Sequence, residues 1–442
     1  MNIISKKSSL SGVINVPPSK SHTIRALIIA CLCEGESKIY NPLASADCLS
    51  TANVIPQFGA QIEFEKDYWT VKGAGKNFHA SDDVVNVGNS GSLLYFLSPV
   101  AATLDAVTIF TGDKSIRSRP VSHVADVINQ LGAKSFVANP NGKTCPLVVQ
   151  GKAKPNKTVK TEGSVSSQYI TGLMLAATRL NGTMKIKLSN PKETPYLTMT
   201  KLWLEKFGVD CFISPDFKNI KVKGGTSLKA QDVTIPSDWE AVAFPLVAAI
   251  LTNSQITIEN VDSSGSQGDD KIVQVLCDLG ASILWDKEKN LLTVNKTEEK
   301  EFVLSAEKFP SSTYEIKISD FPDAICALAV AACFTKGTVV FTDIDGCRKK
   351  ETDRIKVMTS ELKKLGADII DANDKLIVKG SVLHGGLVES YDDHRVAMSL
   401  AVLGLALNEN ESVEIKNAEC CSVSFPNFYN VMKQIGADFK EV

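Results

Sequence analysis

Six tripeptides, each a hydrophobic residue followed by Gly and then Ala or Val, recur along this 442-residue chain. They are Phe58-Gly59-Ala60, Leu131-Gly132-Ala133, Phe207-Gly208-Val209, Leu279-Gly280-Ala281, Leu365-Gly366-Ala367 and Ile435-Gly436-Ala437, with glycines 73, 76, 72, 86 and 70 residues apart. Each glycine follows an amphipathic stretch and precedes a strand-like run, so we expect it to take the left-handed conformation that ends a helix. Six such helix ends at nearly even spacing predict one α/β folding unit used six times.

Every repeat also contains a second stretch that is rich in Ala and Leu and nearly free of charge. These stretches are Ile24–Cys33, Ser92–Thr103, Gln168–Thr178, Ala241–Leu251, Ala324–Cys333 and Val396–Leu407. Because apolar residues lie on all sides of each stretch, we predict six helices that are buried all round. β-branched runs such as Val107–Phe110, Thr338–Phe341 and Leu376–Val378 predict strands between the helices.

The length of the chain exceeds what one hydrophobic core fills and predicts two domains of about 200 residues each. Six units divide naturally into three plus three, and the stiff prolines at Pro17-Pro18 and Pro236 suit the two crossings. We therefore expect residues 1–19 with 237–442 to form the first domain and residues 20–236 the second. The charged run Lys287–Lys300 predicts a solvent-exposed hairpin or loop.

Composition excludes several classes of protein. A net charge of −2 does not suggest a nucleic-acid partner or an anionic membrane. The best apolar run, Val396–Leu407, is shorter than the roughly 18 residues of a membrane helix, and the N-terminus lacks the apolar core of a signal peptide. Eleven scattered cysteines without a Cys-x-x-Cys pair indicate reduced thiols in a cytoplasm rather than disulfides or a zinc site. We expect no metal and no cofactor.

The candidate binding and catalytic residues stand at helix starts, where unpaired N–H groups and a partial positive charge favour anions. The buried helices are opened by Ser19-Lys20-Ser21 with Arg25, Gly88-Asn89-Ser90-Gly91-Ser92, Ser166-Ser167-Gln168, Asp323 and Asp393-His394-Arg395. The amphipathic helices add Arg117-Ser118-Arg119-Pro120 and Lys349-Lys350-Glu351-Thr352-Asp353-Arg354.

Each of these residues also has a structural interpretation. A lone Ser or Asp at a helix start is most often only a cap. Lys350 or Glu351 with Arg354 is also consistent with neighbours on a helix surface, and His394 alone is more often structural. The recurrence of polar openings at the same point of six repeats, several with Arg or Lys, favours one binding site for polyanions.

The motifs as a set resemble the 5-enolpyruvylshikimate-3-phosphate (EPSP) synthase family in the right order over nearly the whole chain. They are Pro18-Ser19-Lys20-Ser21 with Arg25, Gly88-Asn89-Ser90-Gly91, Arg119-Pro120, Ser166-Ser167-Gln168, Pro322-Asp323-Ala324, Lys350-Glu351-Thr352-Asp353-Arg354 and Asp393-His394-Arg395. The resemblance implies an inside-out α/β barrel with two domains of three repeats and an active site in the interdomain cleft. It also implies transfer of the enolpyruvyl group of phosphoenolpyruvate to the 5-hydroxyl of shikimate 3-phosphate, with release of phosphate, on the shikimate pathway to chorismate and the aromatic amino acids.

The resemblance further implies a role for individual residues. Asp323, Glu351 and Lys20 resemble the catalytic residues, with the two carboxylates transferring protons. The residues that resemble contacts to shikimate 3-phosphate are Lys20, Ser21, Arg25, Ser166, Ser167, Gln168, Tyr196, Asp323 and Lys350. Those that resemble contacts to phosphoenolpyruvate are Lys20, Gly91, Arg119, Gln168, Arg354 and Arg395.

Five positions depart from the family pattern. Tyr95 stands where the family has an arginine and Val423 where it has a lysine; the others are Gly346 for an asparagine, Glu240 for a serine and Glu193 for a serine. The two lost cations predict weaker affinity for phosphoenolpyruvate.

Two alternatives remain beside this interpretation. The related UDP-N-acetylglucosamine enolpyruvyl transferases use a loop cysteine, and the matching stretch Thr111–His123 has none. A diverged, non-catalytic anion-binding paralogue would explain the lost cations, although Lys20, Asp323, Glu351 and Arg395 are all present. We expect a cytoplasmic monomer whose partners are the small anions phosphoenolpyruvate and shikimate 3-phosphate and that binds neither nucleic acid nor membrane.

Overall fold

All six apolar stretches form helices whose residues are almost entirely buried, which confirms that part of the repeat prediction. Their bounds are Lys20–Leu32, Gly91–Ala101, Ser167–Thr178, Trp239–Leu251, Ile325–Cys333 and His394–Leu405. The protein is seen in a computed structural model that describes residues 1–225, 227–297 and 304–442.

Contacts between residues group the chain into two units, residues 1–17 with 237–442 and residues 18–236. Pro18 and Ser19, which the sequence predicts in the first domain, group with the second unit. The N–H of Ser19 donates to the carbonyl of Pro236 at 2.7 Å. The N–H of Asp238 donates to the carbonyl of Pro17 at 2.9 Å. Each of these two backbone hydrogen bonds joins residues of the same unit.

Each repeat also has its amphipathic helix, as predicted. These helices are Ala46–Val54, Ser122–Gln130, Thr194–Lys206, Lys271–Asp278, Arg354–Lys364 and Phe428–Gln434. The six repeated glycines follow them with φ of 97°, 85°, 81°, 101°, 92° and 105° in chain order. Residues with a Cβ rarely adopt this region of φ, which explains why glycine recurs at these positions.

The described residues form six four-stranded sheets with one shared topology: an edge strand parallel to its neighbour, then two antiparallel pairs. In residues 18–236 the sheets, in spatial order, are Val233–Thr234, Glu36–Tyr40, Tyr68–Lys72, Gln61–Phe64; Val85–Asn86, Val107–Thr111, Leu147–Gln150, Lys134–Val137; and Thr158–Glu162, Gly182–Ser189, Asn219–Gly224, Cys211–Ile213. In the other unit they are Ser11–Asn15, Gln255–Glu259, Leu291–Val294, Ile283–Asp286; Thr313–Lys317, Thr338–Thr342, Lys375–Lys379, Asp368–Asp371; and Gly386–Glu389, Ser412–Lys416, Ile3–Lys6, Asp438–Glu441. The N-terminal strands complete two sheets of the unit that the chain re-enters at Ser237.

Each unit has its own hydrophobic core, built from three buried helices and the inner faces of its sheets. In residues 18–236, the helix Gly91–Ala101 packs on the other two buried helices. A Cβ at Gly172 would lie 2.1 Å from the carbonyl oxygen of Tyr95, so this crossing needs glycine. The three buried helices of the other unit also contact one another. This packing sets the helix starts of each unit side by side, and the polar motifs stand at those starts.

The charged run 287–300 begins as the exposed turn 287–290 of a hairpin, as predicted. It continues as the strand Leu291–Val294, in which Leu292 and Val294 are buried, and its residues 298–300 lie outside the described residues. Among the helices of the described residues, none is both long and apolar enough to span a bilayer.

Candidate active site

Arg354 is the centre of a buried ion-pair network in the unit formed by residues 1–17 and 237–442. It is the first residue of its helix, and its side chain is fully buried. Its guanidinium donates to Asp323 at 2.6 Å, to Glu351 at 2.7 Å and to Asp393 at 2.9 Å. Three carboxylates from three helix starts therefore share one arginine. The hydrogen bond from the guanidinium fixes the orientation of each carboxylate.

Two more cations complete the network. Lys350 Nζ lies 3.2 Å from Asp323 Oδ2, and Arg395 Nε lies 3.0 Å from Asp323 Oδ1. Arg395 also donates to Glu240, in the first turn of the neighbouring buried helix Trp239–Leu251. The network thus sets three cations against four carboxylates, Asp323, Glu351, Asp393 and Glu240. Among the described residues, the predicted polyanion site of this unit is thus a cluster with one more carboxylate than cations, and each of the three cations already contacts a carboxylate.

The charge state of Asp323 follows from its ion pairs with these cations. Burial raises the pKa of its carboxyl, but Lys350 and then Arg354 lower it by more, to about 2. Asp323 is therefore ionised at neutral pH. Burial lowers the pKa of Arg354, whereas Asp393, Glu351 and Asp323 raise it, and the net result lies well above the ordinary value.

The surface-neighbour interpretation of Lys350, Glu351 and Arg354 is wrong. Glu351 lies before the helix begins at Arg354, and Arg354 points inward rather than along an exposed helix face. The cap interpretation is confirmed for Asp393, whose Oδ1 accepts the backbone N–H of Arg395 at 3.0 Å. Asp393 is both a cap and a partner of Arg354, so the two interpretations of this residue do not exclude each other.

Arg25 is a buried cation of the second unit. Its guanidinium donates to the hydroxyl of Thr200 at 3.0 Å, to the carbonyl of Ser21 at 2.9 Å and, at 3.3–3.4 Å, to the Tyr196 carbonyl and the Thr171 hydroxyl. All four acceptors are neutral. Burial lowers the pKa of Arg25 to about 9. A buried cation compensated by neutral acceptors is stabilised by any anion that reaches it.

A second cluster of predicted residues joins two helix starts of this unit. Gln168 Nε2 donates to the Ser92 hydroxyl at 3.2 Å. A Cβ at Gly91 would lie 3.0 Å from Arg119 Nη1 and 3.8 Å from Gln168 Oε1, so the absence of a side chain leaves room for these two groups to approach. The structure thereby brings Gly91, Arg119 and Gln168 together, although they are up to 77 positions apart in the sequence.

The third helix start of this unit carries two adjacent serines. Ser166 caps the helix, with its hydroxyl accepting the N–H of Gln168 at 3.1 Å. Ser167 is buried and donates both its backbone N–H, at 3.0 Å, and its hydroxyl, at 2.9 Å, to Oε2 of Glu193. Lys20, at the first helix start, lies 3.4 Å from Asp47.

The departures from the family pattern have visible consequences. Tyr95 donates its hydroxyl to the carbonyl of Pro120 at 3.1 Å, and burial raises its pKa to about 12. Its ring lies beside His123, whose pKa burial lowers to about 4, so neither side chain supplies the positive charge of the lost arginine. Among the described residues, a Cβ at Gly346 would come within 4 Å of Pro322 alone, at 3.9 Å, and glycine offers no side chain to donate a hydrogen bond. Val423 ends the short turn Ala418–Val423 that packs on the helix His394–Leu405.

Sequence reasoning missed several partners of the predicted residues. Asp47, the partner of Lys20, lies 27 positions from it in the sequence. Thr171 and Thr200, which accept hydrogen bonds from Arg25, lie 146 and 175 positions from that residue. No local pattern marks such residues, because ordinary capping and helix propensity explain an Asp or Thr at these positions equally well. The contacts of Glu240 and Glu193 were missed for the same reason, although both residues stood out as departures.

Known structures of enolpyruvyl transferases share the fold of this chain. The chain superimposes over its full length on EPSP synthase from Acinetobacter baumannii, with a TM-score of 0.80 at 24% identity and 99% of that chain covered. It also superimposes on the enolpyruvyl transferase NikO from Streptomyces tendae, with a TM-score of 0.78 at 17% identity and 98% coverage of that chain. The fold is the inside-out α/β fold of the enolpyruvyl transferases, as predicted.

Sequence relatives give the family. A sequence model described as EPSP synthase (3-phosphoshikimate 1-carboxyvinyltransferase) matches residues 4–432. The 3-phosphoshikimate 1-carboxyvinyltransferase of Acetivibrio thermocellus is 40% identical over 433 residues, which are 98% of each chain. That of Methanocaldococcus jannaschii is 36% identical over 443 residues, 99% of each chain. The chain belongs to the EPSP synthase family.

Proposed function

We propose that this protein transfers the enolpyruvyl group of phosphoenolpyruvate to the 5-hydroxyl of shikimate 3-phosphate and releases phosphate, as an enzyme of the shikimate pathway. The observation that carries the proposal is the network of Asp323, Glu351 and Arg354 in a chain of the EPSP synthase family. It holds two carboxylates on one buried guanidinium, with Lys350 and Arg395 beside them.

The reaction needs groups that move protons in both directions. The 5-hydroxyl loses its proton as its oxygen attacks C2 of phosphoenolpyruvate, and the methylene carbon gains a proton. That carbon then loses a proton as the bond from C2 to the phosphate oxygen breaks. We assign the two proton transfers to Asp323 and Glu351, with Lys20 as a third catalytic group. Lys350, Arg354 and Arg395 stabilise the departing phosphate.

The ion pairs of Asp323 suggest how its basicity changes during the reaction. With a pKa of about 2 it is a weak base before substrates bind. A substrate phosphate or carboxylate that draws Lys350 toward itself weakens the hold of this lysine on Asp323. The pKa of Asp323 then rises toward the value that a general base needs. Binding of the anions thus prepares the proton acceptor.

Arg25 supports a separate role in holding shikimate 3-phosphate. It is a buried cation surrounded by neutral acceptors, and Ser21, Ser166, Ser167, Gln168 and Tyr196 belong to the same unit. We assign this set, with Lys20, Asp323 and Lys350, to shikimate 3-phosphate. We assign Lys20, Gly91, Arg119, Gln168, Arg354 and Arg395 to phosphoenolpyruvate.

A phosphate-release assay with both substrates tests the proposed function. Phosphate should appear only when phosphoenolpyruvate and shikimate 3-phosphate are present together, in equal amount to the enolpyruvyl product observed by ³¹P NMR. Omission of either substrate is the control. Release with UDP-N-acetylglucosamine in place of shikimate 3-phosphate would favour the related transferase instead. Binding of both anions without release would favour a non-catalytic paralogue.

The contact between Glu240 and Arg395 predicts a measurable cost to phosphoenolpyruvate binding. Since Glu240 already neutralises Arg395, the substrate must compete with a carboxylate of the protein for this cation. Glu240→Gln keeps the shape of the side chain and removes its charge. We expect the KM for phosphoenolpyruvate to fall by about 10-fold, the worth of one charge-assisted hydrogen bond, with little change in the KM for shikimate 3-phosphate.

The matched control for this variant is Glu259→Gln, which removes a carboxylate that follows the same helix in sequence and lies near Asn15. Its KM values should equal those of the wild type. An unchanged or higher KM for phosphoenolpyruvate in Glu240→Gln would show that Arg395 does not bind this substrate through the group that Glu240 contacts.

We also propose that the enzyme works as a cytoplasmic monomer. All eleven cysteines are free thiols, and nine of them are buried, as expected for a protein of a reducing compartment.

A further inference from the structure

The carboxylate of Glu193 accepts hydrogen bonds from two donors at the start of a buried helix. Its Oε2 accepts the Ser167 backbone N–H at 3.0 Å and the Ser167 hydroxyl at 2.9 Å. Ser167 is the first residue of the helix Ser167–Thr178 and is only 1% exposed. One oxygen of an anion therefore lies where the N–H groups and the partial positive charge of a helix start favour anions.

The backbone at Glu193 holds this carboxylate in place. Glu193 adopts a left-handed conformation, with φ of 51° and ψ of 37°, directly before the helix Thr194–Lys206. Its carbonyl accepts the N–H of Tyr196 at 3.2 Å. A non-glycine residue is uncommon in this conformation. The side chain is thus directed at Ser167 by the same turn that starts the helix.

The neighbouring groups connect this contact to the rest of the unit. The carbonyl of Tyr196, three residues after Glu193, accepts a hydrogen bond from the buried guanidinium of Arg25. The Ser166 hydroxyl, next to Ser167, serves as an acceptor in the helix cap, so its proton remains able to point at an anion. Ser166, Ser167 and Arg25 are the groups that we assign to shikimate 3-phosphate.

We propose that Glu193 is a built-in competitor for the phosphate group of shikimate 3-phosphate, and that it sets the affinity of the enzyme for this substrate. The proposal rests on the proposed function. A phosphate oxygen that takes the Ser167 donors must first displace the Glu193 carboxylate, and the displaced carboxylate remains close to a dianion. Both effects lower affinity for the phosphorylated ligand.

Competition of this kind acts on the phosphate and on no other part of the substrate. Shikimate has the same ring and hydroxyls and lacks the phosphate, so it leaves the contact between Glu193 and Ser167 in place. The two ligands therefore separate displacement of Glu193 from a general change in the site. A variant that removes the carboxylate should bind shikimate 3-phosphate more tightly and shikimate with unchanged affinity.

The experiment is calorimetric titration of the full-length protein with shikimate 3-phosphate and with shikimate. Glu193→Gln keeps the size of the side chain, and Glu193→Asn is shorter and suits the left-handed backbone. We expect the Kd for shikimate 3-phosphate to fall by about 10-fold in either variant, the effect of one hydrogen bond to a charged group. The Kd for shikimate should stay within about 2-fold, less than half a kilocalorie per mole.

The matched control is Glu205→Gln, which removes the same charge near the end of the helix that follows Glu193, at an exposed position paired with Lys201. It should change neither Kd. If the wild type binds shikimate 3-phosphate and the two Glu193 variants bind it no more tightly, or if shikimate gains equally, the competitor role is wrong while the proposed function stands. If wild type and variants all fail to bind shikimate 3-phosphate, both proposals are wrong.

Discussion

Glu351→Gln and Asp323→Asn are each expected to lower kcat by about 100-fold or more, the usual worth of a positioned proton-transfer group. Each change keeps the size of the side chain and removes its ability to accept a proton. Both residues stay within reach of Arg354, since an amide oxygen also accepts a hydrogen bond from a guanidinium. Substrate binding should therefore survive, and kcat should fall much further than KM changes. Steady-state kinetics with both substrates varied measures the two effects separately.

The control for these variants is Glu307→Gln, a carboxylate of the same unit that is paired with Lys336 at the surface. Its kcat should match that of the wild type. Near-normal turnover in either Glu351→Gln or Asp323→Asn would remove that residue from the proton-transfer steps. A fall confined to Asp323→Asn would assign both steps to Asp323.

Arg354→Met is expected to destabilise its unit by about 3–5 kcal/mol, because it leaves buried carboxylates without their shared cation. Arg354 is fully buried and contacts Asp323, Glu351 and Asp393. Urea unfolding at pH 7 measures the loss. In a background where Trp69 and Trp203 are phenylalanine, Trp fluorescence reports only on the unit that holds Trp239 and Trp285.

The loss should depend on pH in a defined direction. The pKa of Asp323 is lowered from 3.8 to about 2 in the folded protein, so its ion pairs contribute stability above about pH 4 that disappears as the pH falls through about 2. Without Arg354, one of the two cations that lower this pKa is gone and the pKa rises. The difference in unfolding free energy between wild type and variant should therefore be greatest above pH 4 and shrink below it.

Arg348→Met is the matched control, since Arg348 also bridges two carboxylates, Asp353 and Asp371, but is 21% exposed. Water screens these pairs, and the expected loss is about 1 kcal/mol or less. A loss in Arg354→Met as small as that of Arg348→Met would mean that water or a rearranged cation compensates the three carboxylates.

Local sequence determined the architecture of each repeat. Apolar stretches without charge became the six buried helices, and the glycines after the amphipathic helices took positive φ at all six positions. These features were predictable because a helix buried on all sides, and a left-handed residue that ends a helix, each impose a residue type at a fixed point of the chain. The residues that stand at the helix starts were found for the same reason.

Only the tertiary structure decided which of those residues meet. Arg354 donates hydrogen bonds to carboxylates at positions 323, 351 and 393. Glu240 contacts Arg395, 155 positions away in the sequence, and Glu193 contacts Ser167, 26 positions away. Whether a cation faces a substrate or a carboxylate of its own chain depends on distances between helix starts, and these are set by how buried helices pack. The sequence by itself therefore determined the fold, the family and the residues that stand at the helix starts. The tertiary structure decided their charge balance, because ion pairing acts over a few ångströms between segments that the chain keeps far apart.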